Sequence, residues 1–154
     1  MTPELSIDVA VIEERPIPGP GSVGAVESLV RHGLTYEGRT GDWEVAVALI
    51  SDDELRRLHR EFMGLDTVTD VMTFPLGGDE RGGDIAISVE RAVEQAPDFG
   101  MTAWEEVRFL VVHGVLHLCG WDDRDEGSKR EMLARQMEIV ESWDGAQVAG
   151  SSRR

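Results

Sequence analysis

Two histidines stand four residues apart in the stretch Phe109 to Asp125, FLVVHGVLHLCGWDDRD. Residues at that separation on a helix are neighbours on one face, with Cβ atoms about 5–6 Å apart. His113 and His117 can therefore offer two neutral imidazole nitrogens to a single divalent ion. Phe109, Leu110, Val112, Val115, Leu116 and Leu118 surround them with apolar side chains on nearly every side, as in a buried helix. Two buried imidazoles need partners, and one shared ion satisfies both. Gly120 suits the left-handed turn that stops a helix and sends the chain back. Asp122, Asp123 and Asp125 follow within reach of the imidazoles. One of these carboxylates can be the third ligand, leaving a fourth position for water, as catalytic zinc sites require. Without an ion the pair would be two satisfied core histidines; the glycine stop and the acidic turn favour the ion.

The spacing invites comparison with metallopeptidases, whose H-E-x-x-H motif supplies a glutamate as general base. Here Gly114 follows the first histidine and has no side chain to move a proton. Peptide hydrolysis in that form is disfavoured, and a base must come from elsewhere. Gly114 is expected instead to let another backbone segment pack close to the helix. Cys119 lies two residues after His117, so it points away from the shared face and is expected in the core.

The other elements must hold this helix in place. Leu5, Ile7, Val9 and Val11 alternate with polar residues and predict a strand over 5–12. RPIPGPG (Arg15 to Gly21) is a connector, and a helix over 22–30 follows, with Gly33 placed to end it. His32 beside that end suits the helix dipole better than a ligand role. WEVAVALI (Trp43 to Ile50) is a second strand, and Ser51 with Glu54 has the form of a capping box opening a helix over 52–63. Leu55, Leu58, Phe62 and Met63 form its apolar face; Arg56, Arg57, Arg60 and His59 read as a solvated face.

Strands over 68–74 and 84–89, separated by a glycine-rich turn, are expected to pair as a hairpin. A short helix over 90–96 stops at Pro97, and Thr102 caps the histidine helix, with Glu105 and Glu106 in its first turn. A last helix runs from about Glu126 to Trp143 on a stripe of Met132, Leu133, Gln136, Met137 and Val140. The fold class is α+β: a small mixed four-stranded sheet packed against helices, with a buried, zincin-like metal-ligand helix. Residues 1–144 are expected to form one domain, and 145–154 a disordered tail.

One cysteine among 154 residues leaves no internal disulfide and no Cys-rich zinc site. The first residues lack a basic n-region followed by an apolar run, so no signal peptide is expected; a cytoplasmic protein without a membrane role is the expectation. A net charge of −15 argues against general affinity for nucleic acid, which comes from Lys and Arg neutralising phosphates.

Three blocks in order resemble the YbeY family of metal-dependent endoribonucleases: TDVMTFP (Thr69 to Pro75), GDIAIS (Gly83 to Ser88) and HGVLHLCGWDD (His113 to Asp123). The resemblance spans about 52–143. It implies a single-strand-specific endoribonuclease of ribosomal RNA maturation and ribosome quality control, with one divalent metal per chain, Zn2+ by expectation. It also implies His113, His117 and Asp123 as ligands, single-stranded ribosomal RNA as substrate, and a ribosomal protein or small GTPase as partner. Asp123 stands where the family has a third histidine. Phe62-Met63 stands where the family commonly has Tyr-Arg, the Arg being thought to hold RNA; Arg60 or Arg81 could substitute. Two other readings remain open from sequence: a metal-binding ribosome-associated factor with little or no activity, and a hydrolase of another substrate with Asp84 as a candidate carboxylate.

Overall fold

The computed structural model describes residues 4–67 and 69–152. Four strands form one sheet: β1 (Leu5–Glu13), β2 (Gly41–Ile50), β3 (Val71–Pro75) and β4 (Gly82–Ser88), in the spatial order β1-β2-β4-β3. β1, β2 and β4 run parallel, with Val9 opposite Val45 and Val47 opposite Ile85. β3 is antiparallel to β4, with Thr73 opposite Ile85, so the expected hairpin forms. Of its expected residues, Val68 lies outside the described ones, and the strand begins at Val71. The parallel strands need crossovers, which α1 (Val23–Tyr36) and α2 (Asp52–Met63) help to supply.

The sheet has two unequal faces. On one, Val45, Val47, Leu49, Ile85 and Ile87 meet α1, α4 (Ala103–Leu118) and α5 (Glu126–Ser152) in the main core. On the other, Leu55 of α2 packs with Ile50, Met72 and Ala86 in a small satellite cluster. α3 (Val89–Gln95) and a 3-10 turn (Ala96–Phe99) lead into α4. The α+β class and the mixed four-stranded sheet are those expected from the sequence. No helix among the described residues is long and apolar enough to cross a membrane.

α4 is apolar nearly all round because it is covered nearly all round. Val107, Val111, Val112, Val115 and Leu116 are fully buried, each such side chain contributing about 1.5–3 kcal/mol relative to exposure. Its start carries the reciprocal cap: Glu105 N–H donates to Thr102 Oγ1 at 3.2 Å, and Thr102 N–H to Glu105 Oε1 at 2.9 Å. That cap is worth about 1 kcal/mol. α2 has only half of the expected box: Ser51 Oγ accepts from Glu54 N–H, while the Glu54 carboxylate turns to Arg57.

The expectations about Gly33, His32 and the α5 stripe are corrected. Gly33 does not end α1; it is buried inside the helix, where an added Cβ would lie 3.1 Å from Val115 Cγ1 of α4. α1 continues to Tyr36, so His32 is not at a helix end; its Nε2 meets Ser142 Oγ of α5 at 3.1 Å, and burial lowers its pKa. The buried stripe of α5 is Met132, Gln136, Ile139, Val140 and Trp143, whereas Leu133 and Met137 are about half exposed. α5 also runs past Trp143 to Ser152, so helix occupies the stretch expected to be a tail as far as that residue. Ala146 and Gln147 favour helix, and no proline interrupts it.

Candidate metal centre

α4 ends at Leu118, with Cys119 as its cap and Gly120 at φ +98°. A residue with a Cβ would be strained there. Gly120 N–H donates to His117 O and Trp121 N–H to Leu116 O, which folds the chain back over the last turn of the helix. That reversal carries Asp123 to the imidazoles. Asp123 Oδ2 lies 3.7 Å from His113 Nε2 and 3.7 Å from His117 Nε2. One ligand atom from each of the three lies within 4.8 Å of the others, a group that could hold a metal ion.

The hydrogen bonds around the rings define their tautomers. His117 Nδ1 is 3.0 Å from the Trp121 carbonyl, which can only accept, so Nδ1 carries the hydrogen. His113 Nδ1 is 3.1 Å from Gln136 Oε1. The Gln136 amide nitrogen donates to Phe109 O at 3.4 Å, which orients its oxygen to accept from His113. Both Nε2 atoms are then bare, and they face each other at 3.0 Å. Two lone pairs at that distance repel unless a cation lies between them. Burial pushes the His113 pKa below its ordinary value; the hydrogen bond to Gln136 opposes it, His117 adds to it, and Asp123 and Asp70 oppose it more weakly. A metal ion between the two nitrogens would remove the repulsion, and the group could hold one. The donor set of two neutral imidazoles and a carboxylate suits Zn2+. Side-chain exposures of 22%, 23% and 38% for His113, His117 and Asp123 leave the group open to solvent on one side.

Gly114 does allow a close approach, though by a side chain and not by backbone: an added Cβ would lie 2.6 Å from Ile85 Cγ2 of β4. Asp122 is exposed and its Oδ1 accepts from Arg124 N–H; Asp125 caps α5 through Ser128 N–H at 2.8 Å. Of the three acids, Asp123 alone joins the histidines among the described residues. Cys119 is half-buried against the main core.

The structure sets Asp84 apart from this centre. Ile85, its neighbour on β4, packs under Gly114, so Asp84 points from the opposite face of the sheet, where it is exposed. Arg60 pairs with Asp66 at 3.6 Å, and the Arg81 guanidinium lies over Gly41 at the start of β2. Arg56 and Arg57 are likewise engaged, with Asp66 and with Glu54 and Glu61, so this side of α2 is the solvated face expected.

Residues with a bearing on the centre that the sequence did not single out for it are Gln136 and Trp121. A glutamine inside an otherwise apolar stripe was the available signal for Gln136. Glu106 is two helical turns before His113, and its Oε2 is buried without a hydrogen-bond partner among the described residues. Burial, then the nearby Asp70, raises its pKa against a smaller effect of Gln95.

A mixed sheet carrying an i, i+4 histidine helix, with a carboxylate returned by a glycine turn, defines a small α+β protein with a side-chain group that could hold a metal ion. The sequence profile of the family described as Endoribonuclease YbeY matches residues 20–144. The chain belongs to that family. It is 40% identical over 124 residues to the Endoribonuclease YbeY of Alkaliphilus metalliredigens, covering 75% of this chain and 79% of the relative. The Bacillus subtilis relative of the same name is 30% identical over 152 residues, 90% of this chain and 97% of its own. Among solved structures, TM1509 of Thermotoga maritima superposes with a TM-score of 0.64 at 31% identity, covering 96% of both chains.

Proposed function

We propose that this protein is a metal-dependent endoribonuclease that cuts single-stranded RNA in ribosomal RNA maturation and ribosome quality control, with His113, His117 and Asp123 holding one divalent ion, Zn2+ by preference. Membership of the YbeY family supports the ribonuclease activity. The observation that carries the metal is the pair of bare Nε2 atoms facing each other at 3.0 Å beside the Asp123 carboxylate. His113, His117 and Asp123 would hold the ion, which would supply Lewis-acid chemistry for activating water or a phosphoryl oxygen. The chain's own part is to keep both rings neutral, orient them through Gln136 and the Trp121 carbonyl, and leave one side open for a phosphodiester. The net charge of −15 favours delivery to RNA by a ribosomal protein or small GTPase over free capture, with cytoplasmic work implied. Elemental analysis of the untagged protein and of His113→Ala and His117→Ala, alongside cleavage of a single-stranded RNA, tests this. The expected result is about one metal per chain, lost with the cleavage in both variants; unchanged cleavage in them sinks the reading.

A second reading, a metal-binding ribosome-associated factor without catalysis, is favoured by one observation. Met63, 61% exposed, stands where the family commonly has Arg, and Arg60 is paired with Asp66. On that reading the doubly altered chain Asp123→His, Met63→Arg cuts RNA and the natural chain does not.

A further inference from the structure

Glu37 caps the end of α1, far in sequence from the histidines, and its side chain is 4% exposed. Both of its oxygens are used. Oε1 accepts from the Trp121 indole N–H at 2.6 Å, and Oε2 from Arg135 Nε of α5 at 2.7 Å. The Arg135 guanidinium lies over the Trp121 ring at 5.7 Å and over the Tyr36 ring at 4.9 Å. Trp121 is thus held by its ring from α1 and α5, and by its backbone N–H from Leu116 O of α4. Held at its ring and its N–H, Trp121 turns its carbonyl to His117, where it accepts from Nδ1 at 3.0 Å. Two residues on, the same turn delivers Asp123.

We infer that Glu37, with Arg135, is a positioning residue for the metal centre: it acts through Trp121 to aim the His117 ring and to set the turn that presents Asp123. The inference rests on the reading that His113, His117 and Asp123 bind a metal. A purely stabilising role is the weaker account of this contact. Burying the Glu37 carboxylate against the one-third exposed Arg135 side chain brings little net stability over apolar side chains of the same size. Partners that orient a ligating imidazole, by contrast, typically change metal affinity 10–100-fold when removed. The clamp also explains why three helices converge on one turn: α4 supplies the histidines, while α1 and α5 hold the residue that orients the second of them.

The test is titration of the metal-free protein with Co2+, reading affinity and the visible absorption of the bound ion. Glu37→Leu and Trp121→Phe are each expected to weaken Co2+ binding roughly tenfold and to alter the spectrum. The double variant is expected to lose no more than either single one, because both break the same path. Glu37→Gln keeps an acceptor for the indole and is expected to recover most of the affinity. Leu55→Ala, on the opposite face of the sheet, is the control: it is expected to lower Tm with affinity and spectrum unchanged. Should Glu37→Leu fail to fold, Trp121→Phe and Glu37→Gln carry the same comparison. Co2+ bound by Glu37→Leu or Trp121→Phe as tightly as by the unaltered chain, with the same spectrum, overturns the clamp alone, as do additive losses. No Co2+ uptake by the unaltered chain overturns the metal reading together with it.

Discussion

His113 Nε2 and His117 Nε2 face each other at 3.0 Å, while His117 Nδ1 donates to the Trp121 backbone carbonyl and His113 Nδ1 to the Gln136 side-chain oxygen. That arrangement leaves both Nε2 atoms bare beside the Asp123 carboxylate. Its weak point is the group that selects the tautomer, and for His113 that group is Gln136.

Gln136→Leu removes the acceptor for His113 Nδ1 and leaves the Phe109 carbonyl without its side-chain donor. His113 is then free to adopt the other tautomer, with a hydrogen on the nitrogen that should bind the ion. Metal affinity is expected to fall roughly 10–100-fold, measured by competition with a chelating dye. Gln136→Glu keeps an acceptor and is expected to lose much less; equal losses in the two variants would argue that Gln136 only fills space.

Gly114→Ala places a methyl group 2.6 Å from Ile85 Cγ2. The overpacking costs about 1–3 kcal/mol, against which alanine returns roughly 0.5–1 kcal/mol of helix propensity. The net expectation is a loss of stability in urea unfolding, with α4 pushed from the sheet. Adding Ile85→Val removes a methylene-sized volume at the contact and is expected to recover part of that loss. No recovery in the double variant would place the strain elsewhere.

Glu106 gives a pH signature of its own. Its pKa in the folded chain is raised above the ordinary carboxylate value, chiefly by burial and then by Asp70. Between the unfolded and folded pKa values the native state binds more protons than the unfolded one, so stability falls as pH rises through that window. Its contribution is fully present below the unfolded value of 4.5 and is lost as pH passes the folded one. Glu106→Gln stays neutral throughout. It is therefore expected to exceed the natural chain in Tm at pH 7, with the gap closing as pH falls towards 4.5. A gap that is the same at both ends would show that Glu106 does not titrate in this way.

How much of this could be read beforehand depends on whether the cause of a feature is local. Thr102, Glu105 and the apolar run of α4 define that helix from neighbouring residues, and the reciprocal cap forms as written. Gly120 is legible for the same reason, since its positive φ serves a turn four residues long. Gly33 is not: a glycine that ends a helix and one that admits Val115 from another helix look alike until that second helix is in place. Leu133 and Met137 mislead similarly, because hydrophobicity says that a face of α5 is apolar but not which edge of that face α1 and α4 cover. The grouping of the two histidines with an acidic turn was readable from their spacing, the glycine stop and the acids beyond it, and the choice of Asp123 among three acids came from the resemblance. The groups behind them were not, for Glu37 and Gln136 meet the site only through the packing of α1 and α5 against α4.

Asp123 stands where the resemblance leads one to expect a histidine, and it makes the sharpest solution test. Its carboxylate lies 3.7 Å from each imidazole nitrogen, half-open to solvent. Asp123→Ala leaves two neutral nitrogens on one helix and is expected to lose most metal affinity, read by elemental analysis after dialysis. Asp123→His keeps three ligands but removes one unit of negative charge from the set, so a bound divalent ion retains more of its own charge. The acid limb of the pH profile for RNA cleavage is then expected to move to lower pH in Asp123→His, since water on a more positive ion ionises more readily. If Asp123→Ala retains a full complement of metal, the carboxylate is no ligand, and two imidazoles would have to find their third partner elsewhere.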